Sequence, residues 1–298
     1  VLSGSVCASE RKALWRRLAA VEKLEQCWCS RLSDGFPQGD GEAPTTEARG
    51  VSGRMKGSAF LSASEAFEEL ANRPLPNSKV SEIERDVSRT FPAHQRFKGD
   101  PGATGRAELL KVLRALVVAE PSVGYCQGMN FLAATLLIHL GAAQDAFWLL
   151  LAILEGYHFH HLFTPGVPLL PLRIFQFAGT VRQCLPRLWR HLKEDGFSLD
   201  IFAHQCVLTL FAYSLEPELL GHVYDTFFLL GWKAVFRIGA GLLGTLEEQL
   251  LGLGREDISH FLSQCKRHVR LPGGGPSLCP ARALRIFESD LSGALVAL

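Results

Sequence analysis

Read as a pattern of apolar and polar positions, the chain is a succession of helices. Residues 106–120 carry Leu109, Val112, Leu113, Leu116 and Val117, the i, i+3, i+4, i+7 stripe of one amphipathic face. Comparable periods predict helices over 129–139, 144–156, 169–183, 186–195, 201–214, 217–230, 232–251 and 255–268. An opening helix is predicted over 10–27, with Leu14, Leu18, Val21 and Leu24 on one side. A short helix is predicted over 62–72. Another is predicted from Ser81, where Ser81 and Glu84 fit an S-x-x-E capping box. It must stop by Phe91, because Pro92 disfavours a helical residue before it. The runs FWLLLAIL and VLTLFAYSL have strand-like composition, yet their length and the lack of hairpin turns make them buried helices. The predicted fold class is all-α, an extended array of about a dozen helices.

Residues 30–58 interrupt this pattern. They are rich in Gly, Ser, Pro, Thr and charge and show no period, so a mobile loop is expected there. The expected organisation is an N-terminal helical segment over 1–75 containing that loop, a helical core over 76–270, and a tail over 271–298. The tail opens on LPGGGPSLCP, and a short helix is expected from Ala281.

Composition narrows the function. Basic and acidic residues number 31 and 30 and are mixed along the chain, so no basic stripe exists to neutralise phosphates, and nucleic acid is not expected as a partner. The most apolar stretch, residues 131–154, is broken by His139, Gln144 and Asp145 and fits two helices better than a membrane span. The start at Val1 shows no charged segment followed by an apolar one, so no secretory leader is expected and the protein is read as cytoplasmic, the sequence being a fragment. Eight scattered cysteines do not form a disulfide framework, and reduced thiols are expected. Cys27 and Cys29, and the trio His158, His160 and His161, lack metal-ligand spacing, so no metal is expected. Phosphate-cradling glycine loops and a nucleophile elbow are both missing, so the chain is not expected to bind a nucleotide by itself.

Two stretches carry polar residues that packing does not explain. In SEIERDVSRTFP, Ile83 and Val87 share one helical face while Asp86 and Arg89 lie i, i+3 on another. Taken alone this is an exposed ion pair on a solvated face, of little energetic value. In SVGYCQGMN, Gly124 and Gly128 bracket Tyr125, Cys126 and Gln127 and allow unusual backbone angles and close approach. Taken alone this is a loop whose glutamine caps the next helix.

Together the two stretches resemble the hallmark motifs of the TBC domain, the Rab-type GTPase-activating domain. The arginine motif I-x-x-D-x-x-R-T is matched by Ile83, Asp86, Arg89 and Thr90, and the glutamine motif Y-x-Q-G-M by Tyr125, Gln127, Gly128 and Met129. A weaker R-x-x-x-W motif is matched by Arg11 and Trp15, with Ala20 where the family usually has glycine. Cys206 and Tyr224 stand where the family commonly has tryptophan, which implies repacking. The resemblance is strong over 80–251, weak over 1–30, and missing from 30–58.

The resemblance implies a TBC-like array of two helical subdomains, with 76–270 as the catalytic core. It also implies a partner, a GTP-bound Rab-family small GTPase, which would carry the nucleotide and the magnesium, leaving this chain without a cofactor. Activity would be GTPase activation and not independent catalysis. Hydrolysis develops negative charge on phosphoryl oxygens, which an arginine fork spans well, and an amide can orient the attacking water. Arg89 and Gln127 would be the two catalytic fingers, supplied in trans. Asp86 would orient Arg89, while Tyr125, Cys126 and Asn130 would meet the partner. The alternative is a silent TBC domain that binds a Rab or acts as a scaffold. Recruitment to endomembranes would come from regions outside this sequence.

Overall fold

The computed structural model describes residues 8–33, 61–99 and 104–268. Every regular element among them is a helix. In chain order these are α1 (Ala8–Leu18), α2 (Val21–Ser33), α3 (Ala63–Asn72), α4 (Asn77–Arg89), α5 (Thr104–Ala119), α6 (Met129–Leu140), α7 (Ala143–Gly156) and α8 (His160–Phe163). There follow α9 (Leu170–Cys184), α10 (Pro186–Glu194), α11 (Asp200–Thr209), α12 (Pro217–Leu230), α13 (Trp232–Thr245), α14 (Glu247–Leu251), α15 (Arg255–Ser263) and α16 (Cys265–His268). The chain divides into two compact units, one of Lys12–Gly166 and the other of Val1–Arg11 with Val167–Leu298.

In the Lys12–Gly166 unit, α5 is the central helix and packs against α3, α4, α6 and α7. Its predicted stripe is the reason, since Leu109, Val112, Leu113 and Leu116 are all buried. The α7 helix is enclosed on every side from Asp145 to Leu154, as its nearly unbroken apolar run requires. Phe67 and Phe147 stack with centroids 5.3 Å apart, and Trp148 Nε1 donates to the Ala63 carbonyl at 3.2 Å. Buried Asp145 accepts Lys12 Nζ at 2.6 Å and Arg16 Nη1 at 3.4 Å, tying α1 to α7.

In the other unit, α9 packs against α10, α11 and α13, and α12 against α13. Gly239 lets α9 and α13 approach closely: a Cβ there would lie 2.1 Å from Cε2 of fully buried Phe177. Arg11 Nε and Nη2 each donate to Asp225 at 3.1 Å, a fork geometry on a carboxylate that is nearly buried. Cys206 and Tyr224 are fully enclosed, so both are core residues.

The structure departs from the periodicity at several joints. The opening helix is two helices, broken at Ala20, whose φ of 52° is left-handed. Alanine gives no sign of such a break, although glycine would take that angle more readily. The α4 helix starts at Asn77 after Pro76, one turn before Ser81, because Val80 extends the Ile83 and Val87 stripe backwards. Ser81 therefore caps nothing, and the capping box belongs to Ser62 and Glu65 at the head of α3. The helix predicted over 201–214 stops at Thr209, where buried Leu210 and Phe211 take positive φ of 45° and 66°. Burial of those two side chains overrides their helical preference. The runs over 232–251 and 255–268 each split in two, at Leu246 and Gln264. The α8 helix is too short to show a period. The α2 helix runs to Ser33, into the segment expected to be loop. The rest of that segment and the expected helix from Ala281 lie outside the described residues.

No helix among the described residues is long and apolar enough to cross a membrane.

Candidate functional site

The Lys12–Gly166 unit brings the two polar motifs together through buried side chains. Ile83 and Val87 bury one face of α4, which places Asp86 at the edge of the core and Arg89 in the last helical position. Asp86 is 7% exposed and uses both carboxylate oxygens. Its Oδ2 accepts the Tyr125 hydroxyl at 2.7 Å; its Oδ1 accepts Arg89 Nε at 3.0 Å and Nη2 at 2.8 Å. The Arg89 side chain is 53% exposed. The pair is thus only half a solvated one: the carboxylate belongs to the interior and the guanidinium to the surface. Tyr125 is buried, and burial together with the adjoining carboxylate pushes its phenol far above the usual range, so it stays a donor.

The glutamine stretch is held at both ends. Its first turn is fixed by the Glu120 carbonyl, which accepts the N–H groups of Val123 and Gly124 at 3.1 and 2.9 Å. Gly124 and Gly128 have φ of 66° and 112°, so both glycines are used for the angles that only glycine adopts freely. Gly128 is the N-cap of α6, and no side chain caps it. Its N–H donates instead to Asn130 Oδ1 at 3.0 Å, and Asn130 Nδ2 donates to Thr90 Oγ1 at 2.7 Å. Thr90 Oγ1 donates in turn to the Asp86 carbonyl at 2.6 Å. Gln127 is exposed, and no hydrogen bond among the described residues engages its side chain. A cap on α6 is therefore not its role.

Three expectations need correction. Asn130, expected at a partner surface, is fully buried and bonded inside the fold. The Tyr125 ring, expected to hold the partner, is likewise enclosed, and its hydroxyl is taken by Asp86. The reading of Asp86 and Arg89, taken alone, as an exposed ion pair fails for Asp86, whose carboxylate is buried, and holds for Arg89, whose side chain is half-exposed. Cys126 is half-exposed beside Gln127, and burial raises its thiol pKa. Met129, Ile83 and Thr90 are core residues that place their neighbours. Arg11 and Trp15 are buried structural residues, Arg11 through Asp225 and Trp15 edge-on to His139 at 5.8 Å.

One group escaped the sequence reading. Glu120, at the end of α5, is pushed up to about 7 by burial and by Glu155, with Arg31 opposing. An acid directly after the apolar run ALVVA and just before a glycine loop is the signal that could have found it. Among the described residues no cluster of three or more potential ligands could hold a metal. His160 Nδ1 lies 2.9 Å from the Leu154 carbonyl, and Cys29 is buried while Cys27 is exposed.

With this arrangement in view, residues 10–251 match the family model of the Rab-GTPase-TBC domain. The chain belongs to that family. The TBC domain described here is 35% identical over 207 residues to Rab GTPase-activating protein tbc-11 of Caenorhabditis elegans, covering 69% of this chain and 22% of that protein. It is 34% identical over 192 residues to the GTPase activating protein Gyp51 of Schizosaccharomyces pombe, covering 61% of this chain and 18% of that protein. The chain thus spans about a fifth of the length of these relatives. In fold it is similar to the Ypt/Rab-GAP domain of Gyp1p, with a TM-score of 0.68 at 13% identity, covering 95% of this chain and 87% of that one. It is also similar to a Chlamydomonas flagellar RabGAP TBC domain, with a TM-score of 0.66 at 22% identity over 87% and 76% of the two chains.

Proposed function

We propose that this TBC domain accelerates GTP hydrolysis by a Rab-family GTPase in its GTP-bound state, with Arg89 and Gln127 entering the partner's active site. The observation that carries the reading is the contrast in exposure. The only two motif residues with long polar side chains at the surface, Arg89 and Gln127, stand on one buried hydrogen-bonded frame.

The frame suits the chemistry. Asp86 Oδ1 takes Nε and Nη2 of Arg89, so the guanidinium is aimed while Nη1 is left for phosphoryl oxygens, where charge develops. Arginine keeps its charge at any working pH, and its planar fork spans two oxygens as a lysine does not. The Gln127 amide offers an acceptor and a donor, the pair needed to orient an attacking water. Nucleotide and magnesium would arrive on the GTPase, and the domain would hold neither. Relatives named as Rab GTPase-activating proteins support the partner class. Its working place would then be the cytoplasm and the surfaces of endomembranes, reached through other parts of the protein.

Purified domain mixed one by one with GTP-loaded Rab proteins tests the reading. Acceleration of at least one member is the expected result. Tight binding to a member without any acceleration would instead mark a silent binding module.

A further inference from the structure

The geometry points to Asn130 as a positioning residue that fastens the backbone carrying Gln127 to the helix end carrying Arg89. The inference rests on the two-finger reading above and adds the part that sets the distance between the fingers.

Asn130 sits in the first turn of α6, fully buried among Met129, Leu132 and Ala133. An amide in such surroundings is costly unless both of its ends are bonded, and both are. Oδ1 takes the N–H of Gly128, the residue after Gln127; Nδ2 gives to Oγ1 of Thr90, the residue after Arg89. A second strap runs from Tyr125 to Asp86. Gln127 is therefore bracketed, with one strap two residues before it and one directly after it, and both end on the last turn of α4. Between them the backbone passes through Gly128 at a φ of 112°, a position with little intrinsic stiffness. Without the Asn130 strap, that end of the stretch would swing while Tyr125 stayed docked. Misplacement by about 1 Å costs on the order of 10²-fold in a reaction that depends on orientation. The amide suits both bonds, its oxygen accepting from Gly128 and its nitrogen donating to Thr90 from opposite arms of one planar group.

Asn130→Ala is the direct variant, but it opens a cavity, so Thr90→Val serves beside it: valine keeps the volume and removes the oxygen that Asn130 grips. Stimulated hydrolysis should fall about 10- to 100-fold at saturation, with the half-saturating concentration within about threefold of wild type, and Thr90→Ser should restore the rate. Exchange of the Gly128 amide should quicken about tenfold or more in Thr90→Val, a readout independent of activity. In a Gln127→Ala background the same substitution should cost far less, because the two act as a unit. Full saturating activity of Thr90→Val, or an equal loss with and without Gln127, would overturn the proposal. Intact activity of Arg89→Ala and Gln127→Ala would overturn the two-finger reading instead, and Gly128 exchange would still report whether the strap holds.

Discussion

The arginine half and the glutamine half of the site solve the same problem by opposite means. Arg89 is held by its own side chain, through two nitrogens on a carboxylate that is itself fixed by Tyr125. Gln127 is held through its backbone: its neighbours are strapped down, and no hydrogen bond among the described residues engages its amide. On the proposed reading, a charged group meeting a charged transition state would gain from a rigid aim, whereas an amide that orients a water would need a fixed backbone and a side chain left uncommitted. The contrast teaches that exposure alone does not identify a functional side chain; what the residue beside it is bonded to does.

The sharpest way to break this comparison is Arg89→Ala. It should lower the stimulated rate by roughly 10³- to 10⁵-fold while the melting temperature stays within a few degrees, since the guanidinium is half-exposed and the buried Asp86 carboxylate keeps the Tyr125 hydroxyl as a partner. Retention of a tenth of the rate with normal binding would remove Arg89 from the chemistry.

Gln127→Ala comes next, and it separates two-finger activation from supply of an arginine alone. If Gln127 orients the water, a GTPase whose own water-positioning glutamine is changed to alanine should still respond to the wild-type domain. Gln127→Ala should lose on the order of 10²-fold or more even on the intact GTPase. Hydrolysis in the four combinations decides the matter, and an undiminished Gln127→Ala would end the claim.

Asp86→Ala should be milder than Arg89→Ala, about 10²-fold, because charge remains and only its aim is lost. It should also loosen the Tyr125 end of the glutamine stretch, so a loss confined to one finger would show that the halves are not joined there. Turnover at wild-type level would reduce Asp86 to a structural partner.

The smallest effect concerns the root of the glutamine half. Glu120 has its folded pKa raised from 4.5 to about 7. Below 4.5 it is neutral in both states; between the two values the unfolded chain ionises first and the fold loses stability; above about 7 the loss is complete. Glu120→Gln should therefore stabilise the domain by on the order of 1–3 kcal/mol near pH 8 and by almost nothing near pH 4. Denaturant titrations at the two pH values check the sign, and equal effects at both would show that Glu120 is not ionising against burial.

The proposed pair, Arg89 and Gln127, stands out in the sequence because both lie in complete motifs of fixed spacing, and the long helices were legible because stripes such as Leu109 to Val117 face one core. What sits beside the fingers was not. Asn130 looks like a surface amide in a motif, but it shares a helical side with Ala133, Ala134 and Leu137, and that periodicity points inward. Asp86 looked solvated because its i, i+3 partner is, while the tyrosine that claims it stands 39 residues away. Long-range bonds of this kind leave no trace in local spacing. Breaks at Ala20 and Leu246 were equally silent, since neither residue type announces a change of direction.

Among the described residues no hydrogen bond holds the Gln127 side chain, and this has a consequence for damaged copies. A chain that has lost that one side chain keeps every hydrogen bond of the described fold, and on the proposed reading it keeps the surface that grips the GTPase as well. Such a chain would not be merely idle. It would occupy the GTP-bound partner and shield it from working copies, so a lesion in one allele would be felt through competition and in proportion to its abundance.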